Sequence, residues 1–225
     1  MFESRYSNFL TVLLVIIIIA IIGCLIFGGY KVYQQFNSTK EATDYVNEFL
    51  ENVSNNNIVE QDNTTSGNDI LNQVQETPGG NSSSGGNAQT YKGFNVIGTI
   101  EIPKINLSYP ILNEAGPLAI ERSVGMLYGP GPNQVGNTII IGHNYRNGQF
   151  FANNKNLSIG DKVYITDLSG QRLSYTIYDK FETITEDTEF ITRNTNGARE
   201  ISLQTCTDDG NLRLIILAKC DLDSW

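Results

Sequence analysis

Histidine and cysteine are scarce in this chain of 225 residues: there is one His, His143, and three Cys, Cys24, Cys206 and Cys220. A zinc site built from several Cys and His ligands cannot be assembled within one chain, and a disulfide framework is excluded with it. Excess positive charge is missing too. Lys and Arg total 15 against 24 Asp and Glu, a formal net charge of −9, so no broad surface tracks phosphates and nucleic acid is not an expected partner. Low hydrophobicity is also absent: 40% of residues are hydrophobic, enough for one or two ordinary cores and too many for a wholly disordered chain.

Residues 9–30 run FLTVLLVIIIIAIIGCLIFGGY without a charge. At about 1.5 Å per helical residue this segment spans a hydrocarbon core of roughly 30 Å. A cleavable signal peptide would have a shorter apolar region and a basic start, whereas residues 1–8 carry one Arg and one Glu, so an uncleaved anchor is expected. Arg5 and Lys31 hardly discriminate orientation. The single anchor followed by a long polar domain favours residues 1–8 in the cytoplasm and the bulk of the protein outside the cell. Cys24, within the apolar run, is a packing or lipid-facing residue, with acylation a minor alternative.

Residues 31–90 are expected to form a stalk. Ser38 and Glu41 make a capping-box pattern, and Ala42, Tyr45, Val46, Phe49, Leu50 and Val53 recur at helical spacing, predicting a short amphipathic helix at about 39–53. Its apolar stripe is best accounted for by packing on the chain's own domain; pairing with another copy or lying on a membrane are the alternatives. From Ser54 to Thr90, Asn, Ser, Thr, Gly and Gln dominate, the composition of a flexible tether. The stalk holds two basic and eight acidic residues, against 12 and 15 in residues 91–225, so the acidity lies mainly in the stalk. Asn-x-Ser/Thr triplets, as at Asn37, Asn63, Asn81 and Asn106, are frequent by chance in such a composition.

Residues 91–225 carry short apolar or alternating runs at 94–102, 105–112, 137–143, 162–166, 172–181, 200–207 and 212–220, separated by turn residues. This spacing predicts an all-β barrel or sandwich, with weak helical stretches at 118–124 and 149–154. Asp209-Gly210 between the last two runs predicts a two-residue type I′ turn that pairs Thr207 with Leu212 and Cys206 with Arg213. Alternation then puts Ile201, Leu203 and Thr205 on one face with Leu212, Leu214, Ile216 and Ala218. Ser202, Gln204, Cys206 and Arg213 share the other, with Ile215 and Leu217. Cys220 falls on the core face, away from Cys206, as a packing residue.

A cysteine in a strand is most often a small hydrophobe, an exposed arginine a solvated cation, and a lone histidine a structural hydrogen-bonder. Against that, His143 ends the apolar strand Asn137-Thr-Ile-Ile-Ile-Gly-His143, and Cys206 has a guanidinium opposite it. Cys, His and a cation for the oxyanion are the parts needed for acyl transfer through a thioester.

At these residues the chain resembles the sortases, membrane-anchored cysteine transpeptidases of mainly Gram-positive bacteria. Leu203-Gln-Thr-Cys206 is similar to their Leu-x-Thr-Cys motif, Ile141-Gly-His143 to their histidine segment and Leu212-Arg213-Leu214 to their arginine strand. Gly98-Thr-Ile-Glu-Ile-Pro103-Lys-Ile105 with Tyr109-Pro-Ile111 is similar to their first strands. The ordered set covers residues 94–220. The resemblance implies an eight-stranded sortase-type β-barrel in which Cys206 attacks the threonyl carbonyl of a Leu-Pro-x-Thr-Gly-like sorting signal on a surface protein. It further implies that His143 shuttles the proton, that Arg213 holds the substrate or its oxyanion, and that a cell-wall peptidoglycan precursor amine resolves the thioacyl enzyme. No cofactor is implied. The sequence has no Asp-Pro-aromatic lid or C-terminal membrane segment of the pilus-building type and no long insertion between 181 and 199, which favours a housekeeping or class D-like enzyme. Glu182, Glu186, Asp187 and Glu189 resemble the calcium-assisted loop of some members, but a charged surface loop accounts for them better and no metal is expected. A tethered cysteine peptidase that hydrolyses its substrate, or a non-enzymatic extracellular binding domain, are the competing readings; the order His before Cys and the arginine partner argue against the first.

Overall fold

A computed structural model describes residues 3–61, 89–145 and 147–223. The elements in chain order are helix α1 (Glu3–Gln61), strands β1 (Thr90–Tyr91), β2 (Phe94–Ile102) and β3 (Leu107–Leu112), the one-turn helix α2 (Pro117–Ile120), and strands β4 (Val124–Tyr128), β5 (Gly136–Ile141), β6 (Lys162–Asp167), β7 (Arg172–Thr183), β8 (Arg199–Cys206) and β9 (Arg213–Cys220). The expected tether falls mostly at 62–88, outside the described residues, together with the Asn63 and Asn81 triplets.

Two compact units are present, Met1–Glu41 and Ala42–Trp225. In the first, α1 is long and apolar enough to cross a bilayer, and its side chains from Phe9 to Tyr33 are exposed.

In the second unit, β2 to β9 form a closed eight-stranded barrel. The strand order is β2-β3-β4-β5-β8-β9-β7-β6, and antiparallel pairing of β2 with β6, from Gly98 opposite Asp167 to Glu101 opposite Tyr164, closes it. Closure pairs each of these eight strands on both sides, and the two-residue β1 adds to β2. Most neighbours are antiparallel; β3–β4 and β5–β8 are parallel. The interior is filled by alternate residues, among them Ile100, Ile102, Ile111, Ile140, Val163, Ile165, Tyr175, Ile177, Leu203, Ile216 and Cys220.

The structure departs from the sequence expectations in several places. The separate helix expected at about 39–53 is part of the continuous α1, which runs on to Gln61, so residues 54–61, expected in the tether, are helical. Residues 118–124 do not form one helix: α2 stops at Ile120 and Val124 opens β4, the eighth barrel strand. Its Leu127 and Tyr128 are exposed, so β4 lacks the alternation that marks the other strands. The helical pattern at 149–154 resolves into turns and a 3-10 segment, Asn154–Asn156. At the start of the 105–112 run, Ile105 belongs to a 3-10 turn begun by Pro103, and β3 starts at Leu107.

Within the second unit the stretch of α1 from Ala42 buries one stripe in the barrel core. Ala42, Val46, Phe49 and Val53 are at most 4% exposed, spaced four, three and four residues apart. Ala42, Phe49 and Val53 belong to the main core cluster, and Tyr45 meets the Tyr91 ring of β1 edge-on at 5.0 Å. Burial also pushes the Tyr45 hydroxyl up to about 12. Truncation of Phe49 leaves a cavity under the helix, so Phe49→Ala is expected to cost about 3 to 5 kcal/mol of stability. Exposed Ile159, truncated to Ala as a control, should change little. Chemical denaturation of both variants beside wild type measures the difference.

Candidate active site

β8 and β9 are antiparallel, with Cys206 opposite Arg213, Thr205 opposite Leu214 and Gln204 opposite Ile215. The expected register is therefore present, but the turn that produces it is different. A type I′ turn needs positive φ at both central residues, and of Asp209 and Gly210 only Gly210 has it, at 78°. Instead Thr207 and Leu212 pair across a four-residue loop, with Thr207 N donating to Leu212 O at 3.0 Å and Gly210 N to Thr207 O at 2.9 Å. Side chains complete the loop. Asp209 accepts from the Thr207 hydroxyl at 2.5 Å and from Asn211 N at 3.1 Å, and these contacts hold its carboxyl below the usual carboxylate range. Leu212 N donates to Thr207 Oγ1 at 3.1 Å. Local Asp and Thr bonds thus set the register that a tighter turn was expected to set.

Cys206 is the last residue of β8 and is partly exposed; Cys220, on the inner face, is fully buried. A cleft of about 310 Å³ opens at Cys206, lined by Thr205, Asn144, Lys155, Glu182, Asp208 and neighbouring residues. Arg213 directs Nη1 to two carbonyls of its own loop, Leu212 O at 3.2 Å and Gly210 O at 3.5 Å.

His143 comes to this rim from a different direction. β5 runs parallel to β8, and the pairing reaches Ile141 opposite Gln204. Two residues further along each chain stand His143 and Cys206. The link is continued by Gly142 N donating to Gln204 O at 3.2 Å, and by the Thr205 hydroxyl donating to Gly142 O at 2.7 Å. A Cβ at 142 would lie 3.0 Å from side-chain atoms of Phe151 and Val124, a tight fit that favours glycine. The His143 ring stacks on Tyr145, with centroids 4.8 Å apart and planes 18° from parallel, and His143 O accepts from Phe151 N at 3.0 Å.

The outer face of β5, β8 and β9 holds a second apolar cluster rather than an open polar surface. Ile139, Ile215 and Leu217 are buried under Phe190, with Ile141, Tyr178, Phe181 and Ile191 packed at the margin. An ionic network ties the covering segment to the sheet. Arg193 pairs with Glu200 at 2.6 Å and donates to Ser202 Oγ at 2.7 Å and Phe190 O at 2.8 Å; Tyr178 donates its hydroxyl to Glu200 at 2.7 Å. Burial and the Glu200 carboxylate push Tyr178 up to about 12. Neither this network nor the cleft residues Asn144 and Lys155 was identified from sequence. Asn144 and Lys155 meet partners 62 and 53 residues away, and Arg193 meets its partners only when the covering segment folds back on β8; the position of Asn144 beside His143 offered a signal.

The acidic loop is organised by its own bonds: Asp187 accepts from the Thr183 hydroxyl and from Glu189 N at 3.0 Å. Among the described residues no group of three or more His, Cys, Asp or Glu is placed to hold a metal ion.

Comparison with known proteins decides the family, for a model of the sortase domain matches residues 100–221. The chain belongs to the sortase family. No curated protein matches it. Among solved structures, a Clostridium perfringens sortase D5 transpeptidase is similar at 30% identity and a TM-score of 0.52, over 56% of this chain and 79% of that one. Sortase A from Corynebacterium diphtheriae, a lid mutant, is similar at 28% identity and a TM-score of 0.52, over 58% and 73%. Sortase C-1 from Actinomyces oris is similar at 26% identity and a TM-score of 0.51, over 56% and 73%. Membership makes cysteine transpeptidation the class of reaction to be explained, on the eight-stranded barrel described above.

The contrast between the sortase's two barrel cysteines yields a direct expectation. Cys206 should alkylate in the folded chain, whereas Cys220 should react only after unfolding. Iodoacetamide labelling with peptide mapping checks this, and preferential labelling of Cys220 would contradict it.

Proposed function

We propose that this sortase is a membrane-anchored enzyme that joins surface proteins to a cell-wall amine, with Cys206 as nucleophile, His143 as proton carrier and Arg213 as oxyanion donor. The observation that carries the proposal is the register of Cys206 opposite Arg213, at the barrel rim to which β5 also delivers His143. In the first step the Cys206 thiolate bonds to the threonyl carbonyl carbon of a Leu-Pro-x-Thr-Gly-like signal. The Thr–Gly C–N bond breaks, and imidazolium at His143 gives its proton to the departing amine. In the second step a peptidoglycan precursor amine attacks the thioester and loses a proton to His143. The C–S bond then breaks, and the thiolate returns.

Arg213 fits the oxyanion role because its guanidinium is a rigid fork of donors whose Nη1 meets, among the described residues, two neutral loop carbonyls. An oxyanion attracts it more strongly than a neutral carbonyl does. The apolar side chains at the margin of the outer cluster suit the Leu-Pro end of the signal, with the scissile carbonyl at Cys206. Similarity to a class D transpeptidase at 30% identity and to a sortase A at 28% fits a class D-like or a housekeeping enzyme. The N-terminus is assigned to the cytoplasm and the barrel to the cell exterior, where surface proteins and wall precursors meet. The catalytic barrel is taken to begin near residue 91, with the 42–53 stretch of α1 packed on it inside the same compact unit.

Full-length protein in lipid nanodiscs, incubated with a sorting-signal peptide with and without an amine, tests the assignment by mass spectrometry. Wild type should show a thioacyl mass on the Cys206 peptide and an amine-ligated product, and Cys206→Ala neither. Arg213→Lys keeps the charge but loses the planar fork, so turnover should fall about 10² to 10³-fold with the fold intact. Hydrolysed peptide as the sole product in the presence of amine would favour the peptidase reading. Wild-type rates in Arg213→Ala would remove Arg213 from the mechanism.

A further inference from the structure

The β5–β8 ladder ends at Ile141 and Gln204, so the sheet itself does not hold residue 143 against residue 206. A side chain spans that gap. Asn144 donates from Nδ2 to the Cys206 carbonyl oxygen at 2.8 Å and to Asp208 Oδ1 at 3.1 Å. Asp208 accepts through its other oxygen from Lys155 Nζ at 2.8 Å. An ionised carboxylate only accepts, so Asp208 fixes the amide with its nitrogen toward both acceptors. Exposed on both sides, the Lys155–Asp208 pair adds little stability by itself, and its value lies in orienting that amide. The far side of the segment is fixed as well: Asn144 bridges Phe150 through its backbone, and the Tyr145 ring packs on Phe150 at 5.6 Å while stacking on His143.

We propose that Asn144 is a positioning residue for the transfer reaction, its amide clamping the Cys206 carbonyl so that nucleophile and His143 keep a fixed separation beyond the end of the β5 ladder. The proposal rests on the assignment of Cys206 and His143 made above. Asn144 is one covalent step from His143, and its contact is with the backbone of Cys206. Loss of the clamp therefore changes the relation of those two residues before it changes anything else. Asn144 acts through them and touches no reacting atom.

Single-turnover acylation by a sorting-signal peptide, followed by rapid quench and mass spectrometry on the full chain in nanodiscs, tests this. Asn144→Ala should slow acylation about tenfold to a hundredfold, the range expected when reacting groups are misplaced by a fraction of an ångström to an ångström, with KM and melting temperature little changed. Asn144→Asp should be slower still, because its carboxylate would face Asp208 and the Cys206 carbonyl. Adding Asp208→Asn should relieve that repulsion and return the rate to the level of Asn144→Ala, but not to wild type, since the donor to Cys206 is still missing. Wild-type acylation in Asn144→Ala, or a loss confined to KM, overturns the proposal. If Asn144→Ala does not fold, the isosteric Asn144→Asp is decisive, and a wild-type rate in it has the same consequence. Cys206→Ala separates the two levels of the account. A persisting adduct there refutes the nucleophile assignment, whereas no adduct there with wild-type rates in the Asn144 variants refutes the clamp alone.

Discussion

The parallel pairing of β5 with β8 is the constraint on which the site depends. Strands joined by hairpins run antiparallel and deliver successive chain ends to opposite rims of a barrel. A parallel pair brings two carboxyl-terminal ends to the same rim, at the cost of a long crossover. Here the crossover carries β6, β7 and the segment that covers the outer apolar cluster. β9 then returns antiparallel from that rim and begins with Arg213. Backbone pairing thus sets Arg213 opposite Cys206 and ends β5 two residues short of His143, toward the same rim.

Register is what makes this placement reproducible, and the packing specifies it from both sides. A slip of one residue would turn Ile201, Leu203, Leu214 and Ile216 out of the barrel core, and at the same time remove Ile139, Ile215 and Leu217 from beneath Phe190. Strands buried on both faces cannot shift without exposing apolar surface somewhere. The rim that carries Cys206 can therefore be polar and partly exposed: its geometry is secured below, in the sheet. The Arg193–Glu200 network extends the same logic, pinning the covering segment to β8 through a partly buried ion pair with further bonds to Ser202 and Tyr178.

Local periodicity made most of this legible in advance. Strands with clear alternation or a continuous apolar run were found to within a few residues, and the facing of Cys206 and Arg213 followed from counting outward from Asp209-Gly210. The turn type was misjudged because Asp209 uses its carboxylate to bond Thr207 and Asn211, an option that the Asp-Gly pattern does not reveal. β4 escaped notice because half of it faces solvent with apolar side chains, which erases the period-two signal. The helical stripe at 42, 46, 49 and 53 was visible, whereas its seat in the barrel core depends on contacts across the tether. Asn144, Lys155 and Arg193 share that limitation: each is an ordinary polar residue until the fold supplies its partner.

The site as it stands is poised rather than engaged. Arg213 directs one nitrogen to carbonyls of its own loop, and in the proposed mechanism a substrate draws the guanidinium from these neutral acceptors to a developing oxyanion. A crystal structure of the full chain carrying a sorting-signal peptide analogue in thiohemiacetal linkage to Cys206 tests this account most directly. The peptide is expected along the outer face of β8 with its tetrahedral oxygen in hydrogen-bond contact with the Arg213 guanidinium. A peptide seated elsewhere, or an Arg213 still bound only to Gly210 and Leu212 with the oxygen facing another donor, would contradict it.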